Sequence, residues 1–137
     1  MKIALLGYGK MGKVIERIAL ERGHKIVLKK DHDSSFEGLE NADVAIDFSV
    51  PDSAVENISE CFNKDIPVIS GTTGWLTDYP KMVELCNAKN GSFIYGLRKI
   101  SDTYFFDPLK GIGIYSSVKS YSIRIGLYYL FYWILKY

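Results

Sequence analysis

Gly7, Gly9 and Gly12 fall in the run Gly-Tyr-Gly-Lys-Met-Gly at residues 7 to 12, a spacing that can serve an anionic ligand. In a strand-to-helix turn the first glycine permits the tight bend, the second lets backbone approach a pyrophosphate, and the third lets the helix pack closely on the strand. The N–H groups and positive dipole end of such a helix favour the same anion. Glycine is common, so the three positions alone specify little. Asp31 adds a second group at about the expected separation of twenty residues, where an acidic side chain accepts hydrogen bonds from an adenine ribose. Lys29, Lys30 and His32 flank it, so a 2′-phosphate would also find cations, and the choice between NAD and NADP stays open.

For these residues to meet, the chain must deliver them to one edge of a sheet. Ile3 to Leu6 is a short apolar run ending at glycine, as suits a strand buried on both faces. Met11, Val14, Ile15, Ile18 and Ala19 then recur at helical spacing, and Gly23 supplies a left-handed stop. Further strands are predicted at Lys25 to Leu28, Asp43 to Phe48, Ile66 to Ser70 and Ser92 to Tyr95. Pro51 opens a helix whose apolar face is Ala54, Val55, Ile58, Cys61 and Phe62, and Lys81 to Ala88 makes another. Alternating strands and helices predict an α/β fold, a doubly wound parallel sheet of Rossmann-like type with right-handed crossovers.

The 137 residues suit one compact core. A net charge of +1 gives no support to nucleic-acid binding. Cys61 and Cys86 are the two cysteines and fall in helical segments, so they are expected as buried thiols. His24 and His32 lie far from both, and no metal site is expected. The apolar start is broken at Gly7, too early for a secretion signal, which predicts a cytoplasmic protein. Residues 1 to 96 carry 11 basic and 14 acidic side chains, whereas residues 97 to 137 carry six basic, two acidic and seven of the ten tyrosines. A boundary is therefore expected near Gly96, dividing a dinucleotide-binding domain at 1 to 96 from a divergent tail at 97 to 137.

Two more stretches, Asp47-Phe48-Ser49-Val50-Pro51 and Gly71-Thr72-Thr73-Gly74-Trp75, each follow a predicted strand. With the glycine run they resemble the N-terminal domain of the bacterial 4-hydroxy-tetrahydrodipicolinate reductase (dihydrodipicolinate reductase) family of lysine and diaminopimelate synthesis. The resemblance covers roughly residues 1 to 96. It implies that Gly7, Tyr8, Gly9, Lys10, Met11 and Gly12 hold the pyrophosphate of NAD(P)H and Asp31 its adenosine ribose. Phe48 and Ser49 would approach the cofactor's middle, and Gly71, Thr72 and Thr73 would line the nicotinamide side through backbone and hydroxyl groups. It also implies hydride transfer to a small cyclic dicarboxylate, in a homo-oligomer, with a second domain supplying a His-His stretch, a nearby lysine and a Pro-Ser-Gly-Thr loop. None of these catalytic motifs has a match in the chain, so no catalytic residue is assigned.

Where the family continues with a Ser-Asn-Phe-Ser type sequence, this chain reads Leu97-Arg98-Lys99-Ile100. An out-of-frame continuation is the first explanation of the irregular tail. The second is a tail with its own role, in which the apolar run Ile125 to Leu135 buries in a partner or, ranked lower, lies at a membrane interface; it is short of the about twenty residues of a spanning helix. The fifth strand is expected to leave an exposed edge, which would be prone to pair with other chains. Cofactor binding without turnover is the expected behaviour, and a non-catalytic NAD(P)H-binding regulatory module is the rival.

Overall fold

The computed structural model describes residues 1–95 and a two-residue strand at Tyr115–Ser116. Strands β1 (Lys2–Leu6), β2 (Lys25–Lys30), β3 (Val44–Asp47), β4 (Val68–Ser70) and β5 (Ser92–Tyr95) alternate with helices α1 (Lys10–Glu21), α2 (Pro51–Asn63) and α3 (Tyr79–Ala88). The sheet order is β2-β1-β3-β4-β5-β6, with the first five strands parallel. Between β1 and β3 the strand order reverses direction, which opens a crevice beyond their carboxyl ends. The doubly wound architecture is as expected.

Strand alternation divides the core in two. Ile3, Leu5, Val44, Ile46, Ile69 and Ile94 pack with Ile15 and Ala19 of α1. Ala4, Leu6, Ala45, Val68 and Phe93 point the other way, against Ile58, Cys61 and Phe62 of α2 and Met82 and Cys86 of α3. Both sheet faces are thus apolar, which is why the strands read as runs rather than alternating patterns.

Several boundaries shifted for local reasons. β2 runs two residues further than expected because its pairing with β1 extends to Leu6↔Lys30. β4 begins only after Pro67, which has no N–H to give; its carbonyl instead accepts from Ala45 N–H at 2.8 Å. The expected face of α1 is corrected: Met11 and Val14 are exposed, and Gly12, Ile15 and Ala19 are buried. Gly12 decides this, because a Cβ there would stand 2.4 Å from the carbonyl oxygen of Gly7. The helix therefore turns its bare side to the strand. Gly23 ends it with φ +77°, as expected.

The open edge expected at β5 is also corrected, since β6 (Tyr115–Ser116) pairs antiparallel with Ser92 and Phe93. Lys99, Lys110, Lys119, Arg124 and the apolar run Ile125 to Leu135 lie outside the described residues. Among the described residues, no helix is long and apolar enough to cross a membrane, and no acidic, histidine or cysteine group is arranged to hold a metal.

Cys61 and Cys86 are free and fully buried. Burial pushes both thiols up from their ordinary range, Cys61 the more strongly, so neither supplies thiolate at neutral pH. An aromatic disulfide reagent is accordingly expected to label no thiol in the native protein and two in denaturant. Fast labelling without denaturant would contradict this packing.

Candidate functional site

The first glycine of the turn is held on three sides. Gly7 has φ +94°, donates its N–H to the Lys30 carbonyl at 2.9 Å, and faces Phe48, whose carbonyl oxygen would lie 2.3 Å from any added Cβ. Phe48 N–H in turn bonds the Leu6 carbonyl at 2.8 Å. The turn is clamped between the ends of β2 and β3. Gly9 differs: it is the exposed N-cap of α1, and a Cβ there would meet nothing within 4 Å. No side chain caps this helix and no acidic residue stands in its first turn, so the positive dipole end is uncompensated locally. A glycine facing open space before such a helix fits an anionic group that needs backbone approach.

Gly7, Gly9, Asp31, Phe48 and Ser49 line one open groove of about 150 Å³ beyond the strand ends. Asp31 is exposed just after β2, and its Oδ1 accepts the N–H of His32 at 2.9 Å. Lys30 is buried under the Phe36 ring, 4.6 Å from its centroid, with Nζ 3.4 Å from the Asp31 carbonyl. Lys29 leaves this neighbourhood: its Nζ is 3.2 Å from Glu16 Oε1 and lies over the Tyr8 ring. Tyr8 donates its hydroxyl to Glu16 as well. Those two bonds, Tyr8 first, hold the Glu16 carboxyl below its usual range. Tyr8 thus packs along α1, while Lys10 and Met11 are exposed on the first turn of the helix.

Deeper in the crevice, Asp47 closes β3 with zero exposure. Its Oδ1 accepts from Ser49 Oγ (2.7 Å) and Asn57 Nδ2 (3.0 Å), and its Oδ2 from Ser70 Oγ (2.7 Å) and Thr72 Oγ1 (2.8 Å). Thr72 Oγ1 also accepts Ser49 N–H at 2.8 Å, and the Thr72 carbonyl accepts Trp75 Nε1–H at 2.8 Å. The Thr72 hydroxyl therefore faces inward, whereas Thr73 is exposed. The Phe48 ring lies flush on Gly71, where a Cβ would come within 2.3 Å of it.

The expected residues consequently divide by location. Gly7, Gly9, Asp31, Phe48 and Ser49 share the groove, and Gly71, Thr72 and Thr73 form the adjoining β4 exit. Asp47, Asn57 and Ser70 escaped sequence reading as a connected group. A buried acid at a strand end followed by Ser, with Asn one helical face later, was their only signal.

A turn shaped for close backbone approach, at the switch point of a doubly wound sheet, defines a dinucleotide-binding domain. The profile for the N-terminus of dihydrodipicolinate reductase matches residues 1–95, and the chain belongs to that family, whose N-terminal domain binds NAD(P)H. A 4-hydroxy-tetrahydrodipicolinate reductase of Christiangramia forsetii is 47% identical over 129 aligned residues, 91% of this chain and 54% of the relative. The chain thus spans about half the length of that curated relative, and the similarity reaches past the residues matched by the profile. The resemblance carried by motifs ends near Gly96, where Leu97-Arg98-Lys99-Ile100 stands in place of a Ser-Asn-Phe-Ser type sequence, whereas the alignment with this relative extends beyond it. A dipicolinate-bound dihydrodipicolinate reductase from Paenisporosarcina sp. TG-14 shares the fold at TM-score 0.57 and 20% identity, over 70% of this chain and 46% of that one. A hyperthermophilic archaeal homoserine dehydrogenase mutant in complex with NADPH does so at TM-score 0.54 and 15% identity, over 69% and 42% respectively.

Proposed function

We propose that residues 1–96 form the NAD(P)H-holding portion of a cytoplasmic 4-hydroxy-tetrahydrodipicolinate reductase, followed by a distinct segment at 97–137. The whole reductase would act on a small cyclic dicarboxylate and assemble as a homo-oligomer. The observation that carries this reading is the open space at Gly9 before the uncapped start of α1, beside a Gly7 with no room to spare. The backbone of residues 7–12 would hold the pyrophosphate, with Lys10 and Met11 at its outer side. Asp31 would accept from the adenosine ribose. Phe48 and Ser49 would meet the middle of the cofactor, and Gly71 to Thr73 the nicotinamide side. When bound, the cofactor supplies hydride; these residues bind and orient it and exclude water from one of its faces.

Titration of the purified chain with NADH and NADPH tests the reading, which fails if neither gives saturable binding to folded protein. Asp31→Ala is expected to weaken NADH by about tenfold, the scale of a lost charge-assisted hydrogen bond, and NADPH less. The difference arises because the same carboxylate repels a 2′-phosphate, while buried Lys30 and exposed His32 lie on its flank. Equal losses for both cofactors would remove Asp31 from the ribose.

A further inference from the structure

A carboxylate offers about four lone-pair positions, and in Asp47 all four are filled by neutral donors from three separate elements. Ser49 comes from the loop after β3, Asn57 from α2, and Ser70 and Thr72 from β4 and the loop beyond it. Each hydroxyl directs its single proton to the carboxylate and turns a lone pair elsewhere. Ser49 Oγ accepts from Asn57 Nδ2 at 3.1 Å, and Thr72 Oγ1 accepts the Ser49 N–H. None of these hydroxyls can rotate without surrendering its bond to Asp47. The carboxylate is saturated, while Asn57 Oδ1 beside it is buried without a partner among the described residues; the bonds that are made fix the geometry, because breaking one leaves a further desolvated polar atom.

What the network fixes is the distance between two backbones. Resting on the dinucleotide reading above, we infer that Asp47 is a positioning residue: it ties the Gly71–Thr73 segment, on the nicotinamide side, to the Phe48–Val50 segment at the cofactor's middle, and so sets where the nicotinamide of NAD(P)H rests. Asp47 is fully buried and does not itself reach the groove surface. The adenosine half is held by different parts, the β1–α1 turn and the end of β2. Gly7 N–H bonds the Lys30 carbonyl there, and Phe48, on which the turn rests, is held to β1 by its own N–H bond to the Leu6 carbonyl rather than by the carboxylate. The two halves of the ligand should therefore respond separately to loss of Asp47.

Asp47→Asn keeps the size of the side chain but replaces one acceptor oxygen with an NH₂ group facing hydroxyls that now donate. The 137-residue chain is titrated with NADH and with ADP-ribose, which lacks nicotinamide. Wild type is expected to bind NADH more tightly than ADP-ribose. The variant is expected to lose about tenfold or more in NADH affinity, as for a broken buried hydrogen-bond network, and to keep ADP-ribose within about twofold. Should Asp47→Asn fail to fold by circular dichroism, Ser70→Ala removes one of the four donors and is expected to weaken NADH alone by about two- to fivefold. Equal losses for the two ligands would make Asp47 a fold support only and overturn the inference. So would an unchanged NADH affinity, or a wild type that binds both ligands equally. A wild type that binds neither ligand would instead defeat the dinucleotide reading and the inference with it.

Discussion

Gly9→Leu is expected to lower NADH affinity by at least about a hundredfold, because a side chain there would occupy the space backbone needs to approach a pyrophosphate. The fold should hardly notice. A Cβ at Gly9 meets no atom within 4 Å, and the residue's φ of −83° is open to any L-residue. Gly7→Ala, by contrast, forces a side chain into a φ of +94° and puts its Cβ 2.3 Å from the Phe48 carbonyl oxygen. Backbone on both sides must move, so unfolding stability is expected to fall by roughly 2–4 kcal/mol, a large share of the roughly 5–15 kcal/mol typical of a domain. Urea denaturation followed by circular dichroism, alongside NADH titration, separates the two variants. Loss of stability in Gly9→Leu, or full stability in Gly7→Ala, would reverse their assigned roles.

That contrast also marks what sequence could reveal. The strand-turn-helix punctuation around Gly7, Gly9 and Gly12 was legible because glycine spacing and apolar runs are local signals. A parallel, doubly wound sheet followed from them, whereas the order of its strands is set by the pairings themselves. The exposed Met11 and Val14 were misplaced because helical periodicity alone cannot tell which of two adjacent stripes faces the sheet. The clash a Cβ at Gly12 would make with Gly7 settles that choice, and it exists only in three dimensions.

The same limit applied within the site. Phe48, Ser49, Gly71 and Thr72 take their roles from the resemblance carried by two short stretches, but Asp47, which opens the first of them inside the expected strand Asp43 to Phe48, receives none. Asp47 and Ser70 are 23 residues apart and Asp47 and Thr72 25, so their bonding depends on parallel pairing of β3 with β4. Lys29 and Lys30 show the converse. Adjacent on the edge strand, they point to opposite faces, one towards Glu16 and the other beneath Phe36.

Even loaded with NADPH, the 137-residue chain is expected to reduce the family's cyclic substrate no faster than background. Hydride transfer gains its rate from holding donor and acceptor in register and from charged groups placed where charge changes, contributions of roughly several kcal/mol each. The described residues supply the donor's cradle. A proton donor would have to stand near the β4 exit, yet the chain's two histidines are elsewhere. His24 precedes β2 at the amino ends of the strands, with Nδ1 3.5 Å from the chain's amino group, and burial first, then that charge, lowers its pKa. Its charged form is thereby disfavoured, and it lies on the wrong edge of the sheet. His32 is exposed beside Asp33, on the flank of Asp31 assigned to adenosine. A steady-state assay following NADPH absorbance should thus show saturable binding by titration and a flat trace by turnover. A rate well above background would overturn this division between holding the donor and reducing the acceptor. Alanine replacement of Lys99, Lys110, Lys119 and Arg124 would then find which cation clamps the substrate carboxylates, since each such loss should raise KM for the substrate and leave the NADPH affinity unchanged.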